Sequence, residues 1–143
     1  GRRAFRGKGV NYLLDTHTLL WSLSKTDAIP EYTLDIIADP GNNIYVSSIS
    51  LWEIAVKQSV GKLVLSNTST TDLLNAITTQ GFTFITLDPA EALESSSLKR
   101  YDNHKDPFDR MLIFQALQRG YTLLTKDSRI KQYEEIGLQI LWK

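Results

Sequence analysis

The amino-acid sequence predicts an α/β domain: three layers, α/β/α, around a mainly parallel five-stranded sheet. Three observations lead there. Five short apolar or alternating runs fit strands. Helical stretches with recognisable caps fall between them. The chain has 143 residues, enough for one core and one domain. Strands that alternate with helices close by right-handed crossovers, which makes the sheet parallel and covers both its faces.

The first element is Val10–Asp15 (VNYLLD), an apolar run ending in an acid and read as a buried strand. Thr16–Ser24 follows as a helix with Leu19, Leu20 and Leu23 at helical spacing. Pro30 opens a second helix that runs to Ala38 and stops at Asp39-Pro40-Gly41-Asn42. Ile44–Ser47 is the second strand. Ser48–Val60 is a helix with Leu51, Ile54, Ala55 and Gln58 on one face, ended by Gly61. After a polar loop over Ser66–Thr71, Asp72–Gln80 is a helix closed by Gly81. Phe82–Leu87 alternates as a strand, and Asp88-Pro89 starts a helix to about Leu98. Asp106-Pro107 opens the strongest helix, which ends at Arg119 with Gly120 as its stop. Tyr121–Thr125 is the fourth strand, Asp127–Glu135 a helix, and Leu138–Trp142 the last strand.

Composition narrows the function classes. With 42% hydrophobic and 22% charged residues, the chain is ordinary for a globular protein. No apolar run approaches the roughly 18 residues of a membrane span. There is no cysteine, so disulfides, thiolate metal sites and a cysteine nucleophile are excluded, and a reducing cytoplasm suits the chain. The net charge is zero but uneven. Arg2, Arg3, Arg6 and Lys8 fall in the first ten residues, while the other 133 carry 12 basic and 16 acidic groups. Residues 1–10 are expected to be a basic flexible arm or tag remnant without an h-region, and residues 11–143 the domain. An acidic body argues against a general polyanion-binding surface, but not against acids gathered at a metal.

Four acids are predicted to meet at one sheet edge. Asp15 ends the first strand and Asp127 lies two residues past the fourth. Glu53 is on the helix after the second strand, and Asp109 is in the first turn of the helix feeding the fourth. Ligands in open parallel sheets sit beyond the carboxyl ends of the strands. Like charges there repel, and a hard dication such as Mg²⁺ or Mn²⁺ resolves the conflict through oxygen ligands. Each acid also has a plainer explanation. Asp15 and Asp127 could be helix N-caps, Glu53 could pair with Lys57 at i,i+4, and Asp109 could simply favour a helix N-terminus. Asp106 precedes Pro107, so it is the expected N-cap, leaving Asp109 free to face a metal.

The segments that carry these acids are LLDTHTLLW (Leu13–Trp21), SSISLWEIAVK (Ser47–Lys57), HKDPFDRMLIFQA (His104–Ala116) and LLTKD (Leu123–Asp127). In that order they resemble the PIN-domain ribonucleases, and most closely the VapC-like toxins of bacterial toxin–antitoxin pairs. The resemblance spans about residues 11–143. The family's metal-binding acids match Asp15, Glu53, Asp109 and Asp127, and its hydroxyl near the last acid matches Thr125. In the wider family the third residue of the first motif is often Asn; here it is His17. The resemblance implies a metal-dependent endoribonuclease using Mg²⁺ or Mn²⁺, an RNA substrate, a homodimer, and an antitoxin whose tail blocks the acidic groove.

Other side chains have chemical readings beside structural ones. His17 and His104 could be a ligand or proton-transfer pair, or hydrogen-bonded structural groups. Ser47, Ser48 and Ser50 lack a nucleophile-elbow context and are expected to cap the helix carrying Glu53. Trp21, Trp52 and Trp142 could stack on bases, with core packing expected for Trp52 and Trp142. Lys57, Arg110, Lys126, Arg129 and Lys131 could contact phosphates, and of these Arg110 and Lys126 adjoin proposed ligands. Two rival readings remain. One is a catalytically silent PIN-like binding module in a regulatory complex. The other is a phospho-acceptor receiver domain, which would need paired acids after the first strand and an acceptor Asp after the third, where only Asp88 stands.

Overall fold

The structure, a computed structural model, describes residues 9–143. The expectation for residues 1–10 therefore lies outside the described residues except at Gly9 and Val10, where the Val10 carbonyl already accepts the Asn43 N–H.

The strands are β1 (Asn11–Leu14), β2 (Asn43–Ser47), β3 (Thr83–Ile85), β4 (Thr122–Leu124) and β5 (Gln139–Leu141). They form one sheet in the order β3-β2-β1-β4-β5, and every pairing is parallel. The helices are α1 (Thr16–Ser24), α2 (Glu31–Ala38), α3 (Ser48–Ser59), α4 (Thr70–Thr79), α5 (Pro89–Glu94) and α6 (Pro107–Arg119). This is the expected α/β architecture. Alternation along β1 shows why the sheet is covered twice. Leu13 joins a cluster with Leu112, Ile113, Leu123 and Tyr133 on the α6 side. Tyr12 and Leu14 join Leu19, Ile36, Ile54 and Ile77 on the other. A strand buried on both faces must read as a continuous apolar run, and Tyr12, Leu13 and Leu14 do, after a half-buried Asn11.

Helix ends follow local chemistry. Asp106 caps α6 by accepting the N–H groups of Phe108 (2.8 Å) and Asp109 (3.2 Å), Pro107 takes the first helical position, and Gly120 ends the helix at φ 70°. Ser47 caps α3 through Ile49 N–H.

Three expectations are corrected. Trp52, expected in the core, is 61% exposed. The inward face of α3 is Ile49, Ser50, Glu53 and Ile54, and at 100° per residue the neighbour of an inward Glu53 turns out. It rests edge-on against Phe108 at 5.1 Å. The helix expected over Asp127–Glu135 is a 3-10 turn, Ile130–Ile136, and Asp127 is not its cap. The α4 helix begins two residues before the expected Asp72, because Ser69 and Asp72 form a reciprocal capping box.

Candidate active site

Because β1 and β4 are neighbours while β2 and β3 extend the other way, strand order reverses beside β1. Asp15 follows β1, and Thr125 to Asp127 follow β4, both at that reversal. This is the place where open α/β sheets offer a crevice. A cavity of about 410 Å³ opens there, lined by Asp15, Glu53, Asp106, Asp109 and Asp127, with His17 and Trp21 on its wall. Three cations, Lys57, Lys126 and Arg129, share the lining. The four predicted acids thus lie around one cavity.

The acids are not equivalent. Glu53 is buried; the Thr16 hydroxyl donates to one of its oxygens and Lys57 pairs with the other. That hydrogen bond and the opposite charge raise the Lys57 pKa. Asp127 is held by Arg129 through both carboxylate oxygens, at 3.1 and 2.8 Å, and also accepts the Arg129 backbone N–H. This contact holds the Asp127 pKa below its ordinary value.

Asp15 and Asp109 form no ion pair with Lys or Arg among the described residues. Asp15 is buried and caps α1 by accepting Thr18 N–H at 2.8 Å. Burial pushes its pKa up, against the opposing hydrogen bonds from Thr125 and Thr18. The Thr125 hydroxyl also accepts Asp127 N–H at 3.1 Å, so it joins the two acids. Asp109 has its pKa pushed up to about 7, first by burial and then by Asp106, Asp15, Glu53 and Asp127. One buried carboxyl, Asp15, and one half-buried, Asp109, both with raised pKa, stand beside three further acids and form a donor set that a dication fits. It would compensate the charge that Lys57 and Arg129 leave unbalanced.

One oxygen each of Asp109 and Asp127 and one His104 ring nitrogen lie within 4.8 Å of one another. Hydrogen bonding decides what His104 does. Arg110 can only donate, and its guanidinium donates to the Tyr133 hydroxyl at 3.0 Å. The tyrosine proton then goes to His104 Nδ1, 2.9 Å away. The imidazole therefore carries its own proton on Nε2, which faces Asp109 at 3.4 Å. Burial lowers the His104 pKa, and in this tautomer the ring donates toward Asp109. Tyr133 was not singled out from the sequence; no local pattern links it to a histidine 29 residues away. Thr16 and Ser50, whose hydroxyls lie 3.1 Å apart beside Glu53, carried only the signal of adjacency to the acids.

Arg110 is turned away from the acidic cavity. Besides Tyr133 it donates to the carbonyls of Leu98 and Lys99, both at 3.0 Å. It does not line that cavity, whereas Lys126 does, with its ammonium 5.8 Å above the Trp21 ring.

The PIN domain family profile matches residues 12–136. The chain belongs to the PIN domain family. Solved structures with the same fold include VapBC2 from Rickettsia felis bound to a promoter DNA fragment, at 18% identity and TM-score 0.65. That match covers 94% of this chain and 100% of the other. VapBC-1 from nontypeable Haemophilus influenzae matches at 18% identity and TM-score 0.64, covering 92% and 97% of the two chains. VapBC-5 from Mycobacterium tuberculosis matches at 14% identity and TM-score 0.56, covering 94% and 99%. At these identities the likeness is one of fold. No curated protein matches the chain. Among the described residues no helix of this PIN domain is long and apolar enough to cross a membrane.

The division of labour between two neighbouring acids is testable. Asp106 serves as the α6 cap, so Asp106→Ala is expected to cost about 1 kcal/mol in urea melts, with nuclease activity reduced but measurable. Unchanged stability together with complete loss of activity would move Asp106 into the ligand set.

Proposed function

We propose that this PIN domain is a metal-dependent endoribonuclease and the toxin of a toxin–antitoxin pair. The observation that carries the reading is the pairing pattern in the cavity. Glu53 and Asp127 have their own cations, whereas Asp15 and Asp109 stand uncompensated between them. Asp15, Asp109 and Asp127 would hold Mg²⁺ or Mn²⁺. Glu53 joins them from α3, its geometry set by Thr16 and Lys57. A dication bound there supplies charge for the phosphoryl oxygens and lowers the pKa of a coordinated water.

The protein's own groups do the rest. The Thr125 hydroxyl orients Asp15 and the start of the Asp127 turn. His104, steadied by Tyr133 and Arg110, fixes the Asp109 carboxylate from behind. Lys126, exposed at the rim, is placed to neutralise a phosphate of the incoming strand. RNA as the substrate, a homodimer, a cognate antitoxin and a cytoplasmic setting belong to the same reading. Its support is the PIN domain match and the neighbours named as VapBC assemblies.

Purified protein should cut single-stranded RNA with Mn²⁺ or Mg²⁺, stop in excess EDTA, and recover when metal is restored. Cleavage that persists unchanged in EDTA would refute the metal-dependent reading. Tight Mn²⁺ binding with no cleavage of any RNA would favour a silent binding module.

A further inference from the structure

A second cavity, of about 380 Å³, adjoins the acidic one, and the two share Lys126 and Asp127 in their linings. Its walls include Lys131 and Trp142, with Glu134 as its only acid besides Asp127. The two cavities are joined by a run of aromatic rings. His17 meets Trp21 edge-on at 5.7 Å, and Trp21 lies 6.0 Å from Trp142. Lys126 sits over the Trp21 ring at the junction. Trp21 and Trp142 are both half-buried, so each indole is anchored yet still presents surface to a cavity.

We infer that this strip, Trp21 and Trp142 with Lys126 and Lys131, is a binding track for the unpaired nucleotides beside the phosphodiester that is cut. The inference rests on the nuclease reading and names the side chains that hold the strand beside the cut. An acidic cavity alone repels a polyanion, so the strand needs cations at the rim, and Lys126 and Lys131 are exposed there. Indoles flanked by lysines match the way single strands are held: bases stack on aromatic faces while cations follow the backbone. Stacking tolerates any base, so the track selects for single-strandedness over sequence. Bases inside a duplex are already stacked on each other and cannot reach the indoles. The same lysines repel a cationic protein tail, which favours nucleic acid over peptide as the occupant.

The test uses a short labelled oligoribonucleotide in EDTA, where the strand stays intact, read by fluorescence anisotropy and by tryptophan quenching. Wild type should bind the single strand more tightly than its duplex and show quenched indole emission. Trp21→Leu should weaken binding about tenfold, while Trp21→Phe keeps most of the affinity. Lys126→Gln and Lys131→Gln should each lower the slope of log affinity against log salt by about 0.7. Both lysines are exposed, so these two variants carry the test if Trp21→Leu does not fold. Binding unchanged in Trp21→Leu and in both lysine variants would overturn the track. So would a preference for duplex, or quenching by an arginine-rich peptide and not by the strand. Cleavage in Mn²⁺, assayed in parallel, separates the two readings. Variants that bind and cut like wild type refute the track and leave the nuclease. Tight strand binding without metal-dependent cutting refutes the nuclease and leaves the track.

Discussion

Asp109→Asn is expected to abolish RNA cleavage while making the metal-free protein more stable at neutral and alkaline pH. The carboxyl is raised to about 7 in the fold by burial and by four neighbouring acids, against about 3.9 in an unfolded chain. Between those values the folded state holds a proton that the unfolded state has lost, so stability falls as pH rises. Below about pH 4 both states are protonated and the group costs nothing. Above about pH 8 the full penalty is present, on the order of a few kcal/mol. Asn keeps the shape and an oxygen to accept from His104 Nε2, but has no charge to desolvate. Melts in EDTA should therefore coincide for wild type and variant near pH 4 and diverge by about 1 kcal/mol or more at pH 8. Mn²⁺ should close the gap by stabilising wild type, since a ligand bound only by the folded state adds to its stability. A variant less stable than wild type at pH 8 would show that Asp109 is balanced by an interaction the burial argument omits. A variant that still cuts RNA would remove Asp109 from the metal-binding set.

How far the sequence discloses this site depends on which contacts are local. Asp15 is legible because an apolar run ends on it, and α6 because Asp106-Pro107 and Gly120 mark its two ends. The same local chemistry places the Glu53–Lys57 pair, four residues apart on one helix. The strand order places Asp127 beside Asp15, and it rests on the crossover rule rather than on any one residue. What stays hidden involves partners far apart in the chain or a choice of helix face. The exposure of Trp52 follows from Glu53 turning inward, which helical periodicity reveals only once the buried polar face of α3 is recognised. The Ser69–Asp72 capping box was readable at its spacing, yet the polar loop before it obscured the start of α4. Arg110 is next to a proposed ligand in sequence, but its reach toward Tyr133 and two distant carbonyls depends on the tertiary fold.

The largest loss of stability is expected at an acid outside the cavity. Glu91 is 8% exposed, and its carboxylate accepts from Arg119 Nη2 at 2.8 Å and Nε at 2.9 Å. The same side chain accepts Asp88 N–H at 3.1 Å, completing the cap of α5. Gln115 lies 3.5 Å away and takes the Ser47 hydroxyl proton at 2.6 Å on its carbonyl oxygen. One acid thus ties α5 and α6 to the end of β2, where Ser47 also caps the helix that carries Glu53. Removing one member of a fully buried pair costs about 3 to 5 kcal/mol; here Glu91 is buried and Arg119 half-buried. Arg119 keeps a hydrogen bond to the Thr86 carbonyl at 2.9 Å, so Glu91→Ala is placed at the low end of that range. For a chain of this length the melting temperature should drop by about 10 °C. The pH dependence has the opposite sign to that of Asp109. The Arg119 contact holds the Glu91 pKa below its ordinary value, so its contribution is present above the unfolded glutamate pKa and is lost as pH falls through the folded one. Wild type and Glu91→Ala should accordingly differ most near neutrality and converge under acid. A Glu91→Ala protein that melts within about 1 kcal/mol of wild type at pH 7 would mean that water or Asp88, 3.8 Å from Arg119, replaces the lost carboxylate.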